Sequence, residues 1–217
     1  MPTRPGRRKP RVVEYPSGDG KPMAESDRHR FAITEVIEYL RLFFASNSDV
    51  YVSGNLLLYY KEGNVGKRVA PDVFVVHCVG SHLRDNYLLW NEGRSPSVVI
   101  EITSKKTKFE DTVRKMKLYR DVLRVKEYIL FDPRDDYLKP RLQGYRLRAG
   151  EYQGIRPLHG RLPSQTLGLH FAQVGDALRI YNPATGTWLL TRAEAEQQRA
   201  EQLQREIDEL KNQLGSM

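Results

Sequence analysis

A mixed α/β domain with an antiparallel β extension and a C-terminal helical, coiled-coil-like tail is the fold class that the sequence predicts. Three observations carry that expectation. Between Pro96 and Asp132 a strand, a helix and a second strand follow one another, the pattern of a parallel βαβ unit. Short segments separated by turn residues then recur from Gly144 to Tyr181, as antiparallel strands do. From Arg192 the composition shifts to Glu, Gln, Arg and Ala, with apolar residues at heptad spacing.

A chain of 217 residues can bury one good core, or one core with an appendage. Its 40% hydrophobic and 29% charged content fits a globular protein rather than a disordered one. The organisation expected is a basic arm over 1–25, a folded domain over 26–190 and a helical tail over 191–217. The arm sets Arg4, Arg7, Arg8, Lys9 and Arg11 among Pro2, Pro5, Gly6 and Pro10 and reads as extended. No apolar run follows it, so a secretory signal is not expected.

From Asp27 to about Ala45, Phe31, Val36, Ile37, Leu40, Phe43 and Phe44 recur at near-helical spacing, behind a cap at Ser26 or Asp27. Val50–Tyr60 reads as a strand or a bent pair of strands broken at Ser53-Gly54-Asn55. A turn over 62–67 would pair it antiparallel with Arg68–His77. Residues 78–96 form a polar connection whose Tyr87 and Trp90 pack over the sheet. After the βαβ unit, strands are expected around Gly144–Arg148, Glu151–Ile155, Leu167–Phe171 and Leu178–Tyr181. In the tail, Leu203, Ile207, Leu210 and Leu214 follow a 4-3-4 spacing that Ala193 and Ala200 continue upstream. Glu206 and Lys211 fall at g and e′ positions, a pairing between parallel chains. An isolated helix of this length is marginal in water, so the seam implies a partner; a homodimer is the expectation.

Two apolar, β-branched runs each carry one acid: Arg68-Val-Ala-Pro-Asp72-Val-Phe-Val-Val76 and Pro96-Ser-Val-Val-Ile-Glu101-Ile-Thr-Ser104. A carboxylate inside a buried strand loses hydration and needs a cation or a donor nearby. Two of them on strands that could be neighbours suggest a divalent metal at a sheet end. In the following helix Asp111, Lys115 and Tyr119 share one face at i, i+4 and i+8. Spacing alone allows a plain surface ion pair there; the helix start, just after the Glu101 strand, puts that face beside the carboxylates. Around it lie Lys105, Lys106, Lys108, Arg114, Lys115, Lys117, Arg120, Arg124 and Lys126. Such a basic rim suits a phosphodiester backbone approaching a metal.

A net charge of +8 favours a polyanionic partner, nucleic acid before an anionic membrane surface. Cys78, the single cysteine, permits neither an intrachain disulfide nor a thiolate zinc cluster and points to a reducing, cytoplasmic setting. No apolar stretch approaches the ~20 residues of a membrane span. His77 and Cys78, adjacent on a strand, would point to opposite faces, so with His82 they do not make a soft-metal cluster. There is no Walker loop and no dinucleotide-binding glycine pattern.

Asp72 with Glu101-Ile-Thr103 resembles the PD-(D/E)XK core of restriction-endonuclease-like proteins, Pro71-Asp72 supplying the first dipeptide. More closely, the chain resembles the Uma-type endonucleases of that superfamily. The stretches that carry this are Glu14–Pro22, Asp49–Leu56, Arg68–Val75, Val99–Ser104, Glu127–Pro133, Leu142–Arg146 and Leu162–Leu169. The resemblance implies a restriction-endonuclease-like mixed β-sheet core flanked by helices and a metal-dependent endonuclease acting on DNA. Asp72, Glu101 and the Ile102 carbonyl would hold Mg²⁺ or Mn²⁺, since hard cations take oxygen ligands.

The chain departs from the motif in one place: Thr103 stands where the core pattern has lysine. The Uma-type relatives carry a lysine on the following helix instead, which Lys115 matches, so Lys115 would position the attacking water. Asp111 and Tyr119 would orient Lys115 or contact substrate, with Lys105 a weaker substitute for it. His29 also matches a recurring position, as a base, a phosphate contact or a helix cap. Thr103 keeps open a nuclease fold that only binds nucleic acid or a protein.

Overall fold

A computed structural model describes residues 13–18 and 26–215; the basic arm expected over 1–25 falls largely outside these. Six strands form the main sheet, in the order β1-β4-β6-β7-β8-β9. They are β1 (Val50–Ser53), β4 (Val73–His77), β6 (Val98–Ile102), β7 (Glu127–Phe131), β8 (Leu142–Arg148) and β9 (Glu151–Gly154). Only β6 and β7 run parallel; the other neighbours are antiparallel. The helical crossover that joins them is the βαβ unit read from the sequence. A second, antiparallel sheet holds β10 (Leu162–Ser164), β11 (Leu169–Val174), β12 (Ala177–Asn182) and β13 (Thr187–Trp188).

Alternation along the central strands splits the core in two. Val73, Val75, Val98, Ile100, Ile102, Ile129 and Phe131 face helix α1 (Asp27–Phe43) and the second sheet. Phe74, Val76, Val99, Tyr128 and Leu130 face Tyr119 and Leu123 on the other side. Ser26 caps α1, its hydroxyl accepting from the His29 N–H at 3.4 Å. Phe31, one of the apolar residues at helical spacing, lies outside the core. It is 61% exposed, because the buried stripe of α1 runs through Ala32, Ile33, Val36, Tyr39 and Leu40.

Val50–Tyr60 is a bent pair: β1 belongs to the main sheet, while β2 (Leu58–Tyr59) pairs antiparallel with β3 (Arg68–Val69). Gly54 lies in the bend, where a Cβ would sit 2.0 Å from the Asp72 carbonyl oxygen. Only glycine lets the chain pass that close to the strand end. The connection over 78–96 adds a short strand, β5 (Tyr87–Leu88), parallel to β2, followed by the single-turn helix α2 (Leu89–Glu92). Tyr87 is fully buried there. No described helix is long and apolar enough to cross a membrane.

The helix after β6 opens with a π-helical turn, Glu110–Lys115, and continues as α-helix α3 (Met116–Asp121). The tail is one helix, α4 (Arg192–Gly215). It starts with a capping box: the Thr191 N–H donates to Glu194 (2.8 Å) and the Glu194 N–H to the Thr191 hydroxyl (3.2 Å).

Candidate active site

Strand register builds the carboxylate pair. Val73 lies opposite Ile100 across the antiparallel β4–β6 ladder, so one step further Asp72 comes opposite Glu101. Both side chains then point to the face that α3 covers. The Asp72 carboxylate accepts from the Ile102 N–H at 2.8 Å, and the Asp72 N–H donates to Glu101 Oε2 at 3.3 Å. Each acid is thus held by the backbone of the other's strand.

Glu101 is fully buried and takes two further donors. Lys115 Nζ lies 2.7 Å from Oε2 and the Tyr119 hydroxyl 2.7 Å from Oε1. Lys115 also lies 3.4 Å from Asp111 Oδ1. The helix face read from the sequence as Asp111, Lys115 and Tyr119 therefore converges on Glu101. Burial pushes the Glu101 carboxyl well above its ordinary range, with Asp72 and Asp111 adding to it and Lys115 opposing. Burial works against the Lys115 ammonium, but Glu101, Asp72 and Asp111 outweigh it and hold Lys115 protonated above its ordinary value. The Tyr119 hydroxyl is raised by burial and then by Glu101, so it remains a donor.

Thr103 is buried in the wall. Its hydroxyl donates to Asp111 Oδ2 at 2.7 Å and makes a short contact with the Tyr137 hydroxyl. The Tyr128 hydroxyl donates to the Asp111 carbonyl at 2.9 Å. Asp111 is thereby fixed from three sides at the π-helical turn, a local widening that recurs at functional sites. His29, at the start of α1, reaches the site with Nε2 3.5 Å from Asp72 Oδ2. Lys105 is exposed and joins none of these contacts.

With its three acids ionised, this cluster carries two more negative charges than the Lys115 ammonium cancels, a deficit that one divalent cation would meet. Among the described residues no three His, Cys, Asp or Glu side chains form a closed metal cage. Two carboxylates and a backbone carbonyl nonetheless match how Mg²⁺ is held, since that ion keeps several waters.

Sequence reasoning missed Tyr128, Tyr137 and a third strand acid. Tyr128 had a signal, for it alternates with Leu130 on the same face as Glu101. Tyr137 lies in the turn after β7, where nothing in the sequence marks it. The fully buried Glu127 opens β7 on the opposite face. It is neutralised by Arg146 at 2.8 Å and bonded to Ser164 and the N–H groups of Gln165 and Thr166. Its partners are saturated, so it ties β8 to the 164–166 turn.

A mixed sheet flanked by helices, with a buried carboxylate pair at its end, is a nuclease-like fold carrying a candidate site. Comparison with known proteins assigns it more closely: residues 5–180 match the Uma2 family model, described as "Putative restriction endonuclease", and the chain belongs to that family. A similar solved structure is titled a "putative nuclease belonging to DUF820" from Anabaena variabilis. The two share 16% identity at a TM-score of 0.51, over 72% of this chain and 85% of that one. At that identity the likeness speaks to the fold alone. No curated protein matches the chain.

Proposed function

We propose that the protein is a metal-dependent endodeoxyribonuclease in which Asp72, Glu101 and the Ile102 carbonyl hold Mg²⁺, or Mn²⁺ in its place. One observation carries the reading: a lysine from a neighbouring helix lies 2.7 Å from the second of two carboxylates that strand register sets face to face. A bound divalent ion would supply an activated water and neutralise charge on the scissile phosphate. Lys115 would position that water beside the pair, with Asp111 and Tyr119 fixing Lys115 and Glu101 in turn. Thr103 acts through Asp111. His29, 3.5 Å from Asp72, would meet substrate or a proton. The exposed Lys105, Lys106 and Lys108, in the segment between the Glu101 strand and the Lys115 helix, would contact the DNA backbone. The setting is cytoplasmic, in keeping with the single cysteine.

Thr103 supports a second reading, a nuclease fold that binds nucleic acid or a protein partner without cutting. One experiment separates the two. Supercoiled plasmid and single-stranded DNA are incubated with the protein in Mg²⁺, in Mn²⁺ and in EDTA, with Asp72→Ala alongside as the contamination control. Metal-dependent nicking that disappears in the variant supports the enzyme. Equal inertness of both proteins, with DNA still retarded on a gel, supports the binder.

A further inference from the structure

The tail helix leaves the body of the protein almost at once. Its first turn is tied down: the Arg192 N–H donates to Glu38 at 3.0 Å and Glu194 contacts Arg179. From Ala195 to Leu214 every residue is exposed. The 24-residue helix is about 36 Å long and so projects as a free rod. A rod that is polar all round needs no cover, but this one carries a stripe. Leu203, Ile207, Leu210 and Leu214 are 53%, 45%, 58% and 73% exposed. An uncovered helix with such a stripe is marginal alone in water and is completed by a matching helix.

We infer that the matching helix is α4 of a second copy, in parallel and in register. The 4-3-4 spacing assigns Leu203 and Leu210 to d positions and Ala200, Ile207 and Leu214 to a positions. β-Branched Ile at a with Leu at d selects two parallel strands. In that arrangement Glu206 at g faces Lys211 at e of the partner, an attractive pair. The remaining e and g positions are the neutral Gln197, Gln204 and Gln213, with Arg199 at g facing a glutamine. No like charges meet on the rim, and Glu196 at d ends the seam upstream of Ala200.

Parallel pairing has a consequence that rests on the nuclease reading. It emerges from one end of the coiled coil with both catalytic domains on the same side. One assembly then presents two copies of the Asp72–Glu101–Lys115 site to one duplex and can cut both strands in a single encounter. The seam itself needs no catalysis and is tested without it.

Sedimentation velocity of the full chain, from low to high micromolar concentration, should show a shift toward twice the 25.1 kDa chain mass. Leu203→Gln with Leu210→Gln should return it to a monomer with unchanged body fold by near-UV circular dichroism. Leu214→Cys in a Cys78→Ser background tests orientation. Parallel helices bring the two thiols within disulfide reach, whereas antiparallel ones hold them at least ~16 Å apart. Mild oxidation should therefore yield a covalent dimer. A chain monomeric at every concentration, a dimer indifferent to the double Gln variant, or a dimer that fails to cross-link would each overturn the inference. If the protein cuts DNA, the double Gln variant should nick plasmid at the wild-type rate per chain but lose the simultaneous linear product.

Discussion

Replacing Glu101 with Gln separates the charge of the site from its shape. The amide fits the same space, but the Tyr119 proton that Glu101 Oε1 accepts must turn elsewhere, since both groups now bring donors. Its oxygen can accept from the Asp72 N–H and Lys115, as Glu101 Oε2 does, while its nitrogen donates to the Tyr119 oxygen. The variant loses a charged hydrogen bond, worth roughly 1.5–3 kcal/mol, and sheds the desolvation of a fully buried carboxylate, several kcal/mol in the other direction. An unsatisfied donor costs a further amount of about 1–3 kcal/mol, and metal-free stability should therefore stay close to that of the wild type. Metal binding should behave oppositely. At a hundredfold excess over Kd a ligand adds about 2.7 kcal/mol, which for a chain of this size raises Tm by roughly 5–11 °C. Thermal unfolding in EDTA and in saturating Mn²⁺ reads both terms. The wild type should show that rise and Glu101→Gln less than about 1 °C by the same relation. An equal rise in both proteins would refute the assignment of Glu101 as a ligand.

Lys115→Ala should abolish cleavage while leaving DNA affinity in EDTA unchanged. It should also cost about 3–5 kcal/mol of metal-free stability, because Glu101 and Asp111 lose their buried cation; retained cleavage would return Lys115 to a structural role. Thr103→Val should lower cleavage about 10–100-fold by releasing Asp111, with Thr103→Ser restoring it. Loss in both variants alike would mean that shape, not the hydroxyl, matters. The pH dependence follows from the raised Glu101 carboxyl. The folded, metal-free protein holds that proton more tightly than the unfolded chain does. Its contribution to stability is thus full below about 4.5 and lost as pH rises through the higher folded value. Metal must displace the same proton, so Mn²⁺ affinity should fall about tenfold per pH unit below that value. An affinity flat down to pH 4.5 would contradict the burial of Glu101 as its cause.

The sequence revealed the site better than its surroundings. An acid in a β-branched run is costly, and that cost made Asp72 and Glu101 conspicuous; the ladder then set them face to face. The i, i+4, i+8 face of Asp111, Lys115 and Tyr119 was readable because helical spacing survives the π-helical turn at its start. That turn itself left no mark in composition. Glu127 escaped notice because it sits at the first residue of its strand, where a charged residue is ordinary. Phe31 falls on the apolar spacing of α1, yet the buried stripe turns one residue past it. β10 and β13 are two or three residues long, too short for alternation to register. Tyr137 reaches Thr103 across 34 residues, a contact set by the turn after β7 rather than by any local pattern.

Diffraction at the manganese edge from crystals soaked in Mn²⁺ would show where the protein holds the ion. An anomalous peak is expected between Asp72 and Glu101, within coordination distance of both carboxylates and the Ile102 carbonyl. A strong peak elsewhere, or none at the pair in crystals that bind Mn²⁺ in solution, would contradict that expectation.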